Sequence, residues 1–358
     1  MKLTAQIKLL PTPEQANALC KILEVANAAC NYISDQAWEN NTFRQFSLHR
    51  LMYRSVREMF QLSAQVVVRC ISKVADAYKI DHKAKRIFKP HGAIAFDDRI
   101  LSYSLERQEV SIWTVEGRQR IRFTCGQRQM ELLMGQRGES DLCLVKGKFY
   151  LLVSCDVEAP RPMAIEGVLG VDLGIVNIAS DSDGENFSGA EVERTRRVFE
   201  HRRRNLQKKQ TRSAKRKLKT LSGKQARFQK NTNHTISKQL VQKAQDTCRA
   251  LALENLSGIR KATVRRSQRS RHSNWSFHQL RQFIHYKAER AGIPVILVDP
   301  RNTSRTCPEC GCVDKVNRVS QSLFSCVSCG FSAHADTIAA VNISARAVVN
   351  QPMVAGSA

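Results

Sequence analysis

Hydrophobic and polar positions follow two different patterns along the first half of the chain. Residues 1–10 alternate weakly, which predicts a strand. The motif Pro11-Thr12-Pro13-Glu14 then predicts a helix start with Thr12 as N-cap, and helical spacing predicts further helices at about 46–61 and 63–85. Short β-type runs follow from about residue 92 to 158. We expect a small β-barrel that the first strand completes, with the helices as an insertion.

Three short apolar strands are predicted in the second half of the chain. The first carries Asp172, the second ends at Glu254, and the third, 294–299, has the continuous apolar pattern of a fully buried parallel strand. A long basic helix is predicted at 194–230, between the first two strands. A final helix follows residue 334, and its apolar face is predicted to hold Ile338, Val341, Ala345 and Val348.

The charge of the chain indicates a polyanionic partner. Lys and Arg number 57 against 32 Asp and Glu, a net charge of +25, which favours nucleic acid over a membrane surface. No apolar run reaches the roughly 18 residues of a spanning helix, and the N-terminus lacks the apolar core of a signal peptide. We expect a cytoplasmic, nucleoid-associated protein without membrane contacts.

The predicted basic helix holds much of this charge. Between Arg194 and Lys230 there are 16 Lys and Arg and one acid, Glu200. The segment is a candidate for contacts with nucleic-acid phosphates, although a solvated basic face would have the same composition. The candidate contacts are Arg202, Arg203, Arg204, Lys208, Lys209, Arg212, Lys215, Arg216 and Lys217.

Four cysteines near the C-terminus form two pairs. Cys307 and Cys310 are separated by two residues, as are Cys326 and Cys329, and fifteen residues lie between the pairs. This spacing is typical of a zinc ribbon with four thiolate ligands, which leaves no open position for water and predicts a structural metal. Cys312 is a further thiol nearby that could serve as a spare ligand.

Three carboxylates stand out against the basic background. Asp172 and Glu254 lie at strand ends, and Asp336 opens the last helix. If the strands are neighbours, the three side chains converge, and their mutual repulsion would need cations such as two Mg²⁺ ions, which prefer hard oxygen ligands. Two such ions can promote phosphodiester hydrolysis. Each acid taken alone is equally consistent with a helix cap or a solvated loop residue.

The order of these motifs is similar to that of a known family. The pieces are Leu9–Gln15, Gly170–Gly174, Leu253–Leu256, Val298–Pro300, Thr303–Cys307, the ribbon, and Asp336 with Ala339–Ile343. Together they resemble the split RuvC nuclease of the TnpB family, which comprises transposon-encoded relatives of type V CRISPR effectors. The resemblance covers most of the chain.

The resemblance implies a multidomain α/β and α+β fold. It consists of a RuvC (RNase H-like) nuclease domain with an inserted zinc ribbon, and an N-terminal wedge β-barrel carrying a helical recognition insertion. The implied boundaries are 1–10 and 86–160 for the barrel, 11–85 for the insertion, 161–302 and 334–350 for the nuclease domain, 303–333 for the ribbon and 351–358 for a tail.

The resemblance also implies an activity. Asp172, Glu254 and Asp336 fall on the catalytic positions of the family, with two Mg²⁺ or Mn²⁺ ions, and zinc in the ribbon is structural. Family members use a guide RNA copied from the transposon end and cut double-stranded DNA beside a short flanking motif. The expected form is a monomeric ribonucleoprotein. Gln65, Arg69, Ser72 and Lys73, on the polar face of the predicted helix 63–85, are candidates for reading that motif.

One residue departs from the family pattern, and three alternatives stay open. Ile338 stands where the family usually has Asn, which could alter a hydrogen bond around the metal site. Loss of a carboxylate would favour a nuclease-weak RNA-guided repressor, and all three carboxylates are present. A DNA-only recombinase or resolvase would use the same metal chemistry without RNA. A small CRISPR effector would have nearly the same chemistry as a transposon protein.

Overall fold

The computed structural model describes residues 1–255 and 277–349. The chain divides into two compact units, Met1–Glu158 and Ala159–Ala358. Both units combine helices with strands, so the mixed α/β character expected from the sequence is confirmed. The predicted tail, 351–358, lies outside the described residues.

A seven-stranded antiparallel sheet forms the frame of the first unit. The order of its strands is β2-β6-β7-β1-β5-β4-β3, so the first strand lies at the centre. The two edge strands, Ile94–Phe96 and Leu101–Ser104, are consecutive in the chain. The hydroxyl of Tyr103, on the second of these strands, lies 2.7 Å from Oγ of Ser140, which is on the strand next to the first. The sheet is therefore a nearly closed barrel. Its strands are β1 (Lys2–Leu10), β2 (Ile94–Phe96), β3 (Leu101–Ser104), β4 (Glu109–Thr114), β5 (Gly117–Thr124), β6 (Gln136–Val145) and β7 (Lys148–Asp156).

Three helices lie between β1 and β2 in the chain, and a fourth lies between β5 and β6. The Thr12 side chain accepts from the main chain of Gln15 at 3.3 Å, and the Gln15 side chain accepts from the main chain of Thr12 at 3.1 Å. This reciprocal capping confirms the predicted helix start. The helices are α1 (Pro13–Glu39), α2 (Gln45–Phe60), α3 (Ala64–Ile80) and α4 (Gln127–Met134).

The second unit is built on a five-stranded sheet with the order β10-β9-β8-β11-β12. β8, β11 and β12 are parallel, and β9 and β10 complete an antiparallel meander. The predicted full burial of the third apolar strand is wrong: β12 is at the edge of this sheet, and Leu297 is 41% exposed. The strands are β8 (Gly167–Asp172), β9 (Asn177–Asp181), β10 (Asn186–Ser188), β11 (Arg249–Glu254) and β12 (Val295–Val298).

The predicted single basic helix is in fact two helices. Gln210 has a φ of 50°, in the left-handed region, which ends the first helix. The Thr211 hydroxyl then accepts from the main chain of Ala214 at 3.1 Å and caps the second. The helices of this unit are α5 (Ala190–Lys209), α6 (Arg212–Asp246), α7 (Phe277–Arg290) and α8 (Ala335–Val349).

The two faces of the five-stranded sheet pack against different helices. Leu169 and Leu251 belong to a core formed with α6 and α7, whereas Val168 and Ala252 belong to a core formed with α8. Helix α8 approaches β8 closely at Gly170, where a Cβ atom would lie 2.0 Å from the carbonyl oxygen of Ala340. Only glycine allows this approach.

This approach decides which face of α8 is buried. Ala339, Ala340, Ile343 and Ala347 are buried, and Ile338 is buried as predicted. Ala345 and Val348 are exposed, and Val341 is half-buried, so the predicted apolar face is wrong for these three positions. The helix is rotated because small side chains on one side let it lie against Gly170.

A short hairpin forms the ribbon between β12 and α8. Its strands are β13 (Leu323–Ser325) and β14 (Ser332–His334). Within the described ranges, none of the helices is both long and apolar enough to cross a bilayer.

Candidate metal centres

Strand alternation places two acids on one face of the sheet. Successive side chains of a strand point to opposite faces, so Asp172 shares the α8 face with Val168 and Gly170. Glu254 shares it with Ala252 in the same way. β8 and β11 are parallel and aligned residue for residue, so both carboxylates emerge at the carboxyl ends of neighbouring strands.

Asp336 reaches the same edge from the first turn of α8. The residue is 6% exposed, and a negative charge there suits the helix dipole. The Asn177 side chain, on β9, donates from Nδ2 to Asp336 Oδ2 at 3.0 Å. The Arg318 guanidinium, from the ribbon, donates to Oδ1 at 3.3 Å. Both oxygens of this carboxylate are therefore held by donors from different elements.

Asp172 and Glu254 are half-buried at the ends of their strands. Burial is the main cause that raises the pKa of Asp172 to about 7, the charges of Glu254 and Asp336 raise it further, and Arg318 opposes the shift. Burial likewise raises the pKa of Glu254, while the hydrogen bond from the Thr303 hydroxyl, at 2.5 Å, opposes it. Glu254 and Asp336 therefore both lie close enough to Asp172 for their charges to act on it.

The residues present fit divalent cations that prefer oxygen. The raised pKa values of Asp172 and Glu254 mean that their anions are destabilised, and a bound cation would relieve both the loss of solvation and the repulsion between the acids. Their oxygens are spread more widely than the ribbon thiols. Among the described residues, only the four cysteines have ligand atoms that all lie within 4.8 Å of one another.

The four ribbon cysteines are brought together as predicted. Cys307 Sγ lies 3.6 Å from Cys329 Sγ, and Cys310 Sγ lies 3.5 Å from Cys326 Sγ. A tetrahedral zinc ion with Zn–S bonds of about 2.3 Å requires sulfur atoms about 3.8 Å apart, so the thiols fit zinc. Gly311 and Gly330 follow the two pairs with φ values of 71° and 76°, which the tight turns of the cysteine loops require.

The ribbon packs directly onto helix α8. Phe324 is fully buried and shares a small core with Ala335 and Ile338. Ile338, which departs from the family pattern, is therefore an apolar contact between the helix and the ribbon. The side-chain amide that holds Asp336 comes instead from Asn177.

The predicted basic contacts lie on the helical pair α5 and α6. Eight of them are exposed and Arg203 is half-buried. Arg204 is paired with Glu200 at 2.9 Å. A groove of 490 Å³ runs between the helices, and both apolar and basic residues line it. The apolar residues are Leu206 and Leu221, and the basic residues are Arg202, Arg216, Lys217 and Lys224.

Most of the predicted contacts on α3 already form hydrogen bonds within the protein. The Arg69 guanidinium donates to Asp97 and to Glu139, each at 2.9 Å. Gln65 donates to Asp97, and the Lys73 ammonium donates to the Asn27 side chain at 2.6 Å. Ser72 is half-buried. Contact of these four residues with DNA stays a prediction, since these neighbours already engage the polar groups of three of them.

Three residues of the carboxylate centre were not singled out from the sequence. Asn177, Thr303 and Arg318 hold Asp336 or Glu254, yet they come from a strand, a loop and the ribbon. Thr303 stands in a motif that resembles the family. Nothing in the local pattern around Asn177 or Arg318 indicates a role, because only the tertiary fold brings them to the acids.

Comparison with known proteins matches two regions of the chain. Residues 277–343 match the family model of the Cas12f1-like TNB domain, and residues 152–260 match a model described as probable transposase. The CRISPR-associated endodeoxyribonuclease Cas12f1 of Sulfoacidibacillus thermotolerans is 37% identical over 216 residues, 55% of this chain and 50% of that protein. The TnpB-like protein MJ0751 of Methanocaldococcus jannaschii is 33% identical over 197 residues, 51% of this chain and 70% of that protein.

A solved structure shows the same fold. Cas12f1 in a complex with sgRNA and target DNA aligns with a TM-score of 0.63 at 15% identity, over 90% of this chain and 82% of that chain. The chain spans half the length of the Cas12f1 relative from Sulfoacidibacillus thermotolerans.

Fold and site together define a mixed α/β protein with a carboxylate cluster at the ends of parallel strands and a four-cysteine ribbon beside it. The match to MJ0751, 33% identical over 70% of that protein, establishes the family. The chain belongs to the TnpB family.

Proposed function

We propose that the chain is an RNA-guided DNA endonuclease, encoded by a transposon, that cuts double-stranded DNA beside a short flanking motif. The observation that carries the proposal is the convergence of Asp172, Glu254 and Asp336 at one edge of the sheet. Membership in the TnpB family supports it, as does the name of the Cas12f1 relative, a CRISPR-associated endodeoxyribonuclease.

The sheet of the second unit supports a RuvC (RNase H-like) assignment. An antiparallel meander of three strands followed by two parallel strands, with helices on both faces, surrounds the acids. The ribbon lies in the chain between this sheet and α8, as an insertion would. The barrel of the first unit corresponds to the wedge domain, and α1 to α3 to the recognition insertion. The domain boundaries stated for the sequence belong to this proposal.

The carboxylate centre is assigned to metal-dependent hydrolysis. Asp172, Glu254 and Asp336 would hold two Mg²⁺ or Mn²⁺ ions, which when bound supply an activated water and charge stabilisation for phosphodiester cleavage. Thr303 fixes the Glu254 carboxylate, and Asn177 fixes that of Asp336. Arg318 adds a positive charge beside Asp336, and a guanidinium is a group that can bind a DNA phosphate.

The ribbon is assigned a structural zinc ion. Four thiolates complete the coordination of zinc and leave no position for a catalytic water. Its contribution is mechanical, since Phe324 and Ile338 join its core to the helix that carries Asp336.

The helical pair α5 and α6 is assigned to guide RNA, or to the heteroduplex of guide and target. Its exposed Lys and Arg outnumber nearby acids, so phosphates can bind without displacing ion pairs over most of the surface. Base pairing between guide and target would supply the sequence specificity, and the protein would hold the backbone.

The decisive experiment is purification from cells that carry the native flanking DNA, followed by sequencing of co-purified RNA and cleavage of a matched target. Asp172→Ala should abolish cutting while RNA and target binding persist. Asp246→Ala, at the exposed end of α6, is the matched control and should cut normally. Undiminished cutting by Asp172→Ala would overturn the active-site assignment.

Two other outcomes would identify the alternatives. A wild-type complex that binds RNA and target but does not cut would indicate an RNA-guided repressor. Cutting with no defined RNA bound would indicate a DNA-only recombinase or resolvase.

A further inference from the structure

Asn317 is a fully buried asparagine that bonds to both cysteine loops of the ribbon. Its Nδ2 donates to the main-chain oxygens of Arg305, at 2.9 Å, and Cys312, at 3.1 Å, on either side of the first cysteine pair. Its Oδ1 accepts from the main chain of Val327, inside the second pair, at 3.0 Å. A buried amide that uses both its donor and its acceptor groups fixes the spacing of the two loops.

The next residue, Arg318, connects this buried amide to the carboxylate centre. The main-chain oxygen of Asn317 accepts from Ser325 at 2.8 Å, and Arg318 pairs with Phe324 as an antiparallel bridge. The Arg318 side chain then reaches Asp336 at 3.3 Å. One continuous series of contacts therefore links the cysteine loops to an acid of the other centre.

We propose that Asn317 is a positioning residue that couples the cysteine centre to the carboxylate centre through Arg318. The inference rests on the proposed function, because it assumes that Asp336 is a metal ligand. The Arg318 side chain is 28% exposed, so holding it against Asp336 costs side-chain entropy, and a fixed backbone at Arg318 limits the positions that the guanidinium can reach. Asn317 provides that restraint through its hydrogen bonds to the main chain. It is not one of the four residues that would bind zinc.

The coupling has a defined electrostatic consequence. Arg318 places a positive charge on Asp336 and thereby competes with a divalent cation for the same carboxylate. Arg318→Ala should therefore tighten Mn²⁺ binding about tenfold, the size expected when a like charge a few ångströms away is removed under partial solvent screening. Asn317→Ala should act in the same direction but less, about threefold, because it loosens the guanidinium without removing its charge.

The test is a double-mutant cycle on the zinc-loaded full chain without nucleic acid. Mn²⁺ binding is followed by electron paramagnetic resonance at mildly alkaline pH, and zinc per chain is measured by mass spectrometry. If Asn317 acts through Arg318, Asn317→Ala causes no further change in the Arg318→Ala background. Zinc content should stay at one ion per chain in every variant. Asn233→Ala, which removes an equally buried asparagine from α6, is the matched control and should leave Mn²⁺ affinity unchanged.

Two results would overturn the proposal. One is additivity, in which Asn317→Ala changes Mn²⁺ affinity by the same factor in the Arg318→Ala background as in the wild-type chain. The other is loss of zinc from both Asn317→Ala and the milder Asn317→Ser, which would reduce Asn317 to a folding residue of the ribbon. If only the alanine variant loses zinc, the cycle is run with serine. Because no nucleic acid is used, failure of this coupling and failure of the proposed nuclease activity are separate results.

Discussion

The guanidinium of Arg318 lies 3.3 Å from Oδ1 of Asp336, so a residue of the cysteine ribbon directly contacts an acid of the carboxylate centre. The two centres differ in chemistry, since one offers soft thiolates and the other hard carboxylate oxygens. Their contact joins the cysteine ribbon to the start of the helix that carries Asp336.

Removal of zinc should disturb the carboxylate centre. Cys310→Ser should lose zinc and lower the cleavage rate by at least about tenfold, because the ribbon no longer holds Arg318 or packs on Ile338. Zinc analysis and single-turnover cleavage are the measurements. Cys312→Ser is the control and should keep zinc, since the four other thiols already lie within 4.8 Å of one another. Zinc loss from Cys312→Ser would show that this thiol is a ligand after all.

The close approach of α8 to β8 predicts a large effect of a single methyl group. Gly170→Ala should destabilise the chain by about 1–3 kcal/mol and move Asp336 away from Asp172, because the added Cβ would lie 2.0 Å from the carbonyl oxygen of Ala340. Denaturant unfolding and cleavage are the measurements. Gly223→Ala, inside α6, meets only the end of a flexible arginine at 3.4 Å and should stabilise by up to about 1 kcal/mol. Equal stability of the two variants would contradict the packing described.

The raised pKa of Asp172 predicts that removing its charge stabilises the folded chain. The pKa of Asp172 is raised to about 7 in the folded chain, whereas an unfolded aspartate titrates near about 4. Between these values the unfolded chain has lost its proton and the folded chain retains it, so wild-type stability falls as pH rises from about 4 to about 7.

Asp172→Asn lacks this penalty and should melt several degrees higher than wild type at neutral pH in Mg²⁺-free buffer. Its advantage should grow between about pH 4 and pH 7 and then stay constant. Thermal unfolding at a series of pH values measures it. A constant difference across that range would show that Asp172 is not buried as an acid.

The basic surface on α5 and α6 predicts a change in salt dependence. Reversal of Lys215, Arg216 and Lys217 to Glu should weaken RNA binding and reduce the slope of log affinity against log salt by about 3, one for each lost phosphate contact. Filter binding at several salt concentrations is the measurement. The charge-preserving triple Lys215→Arg, Arg216→Lys, Lys217→Arg should keep the slope. An unchanged slope after charge reversal would place the RNA elsewhere.

Much of the local architecture is predictable from the chain because its determinants are close in sequence. Thr12 and Gln15 cap α1 from three residues apart, and Lys146-Gly147 turns a hairpin through positive φ values at both positions. The cysteine pairs predict their own cluster for the same reason, since loops of two residues bring the thiols together. Such features depend on a few neighbouring dihedral angles and survive in any tertiary context.

Features that depend on packing between distant segments could not be predicted from the sequence. The basic run 194–230 has continuous helical composition, yet it breaks at Gln210, because the segment folds back as the pair α5 and α6. The buried face of α8 depends on Gly170, which is more than 160 residues away in the chain. The apolar pattern of α8 predicts that the helix is partly buried. It does not decide which of its sides faces the sheet.

The carboxylate centre depends both on local sequence and on tertiary packing. The chain itself specifies which acids are available, at the ends of apolar strands and at a helix start, because charge in an apolar run is conspicuous in any sequence. Their partners are decided by the folded structure alone. Asn177, Thr303 and Arg318 reach Asp336 and Glu254 from distant segments, through strand order and ribbon docking. Side-chain geometry between such segments depends on long-range packing, which no local pattern of residues encodes.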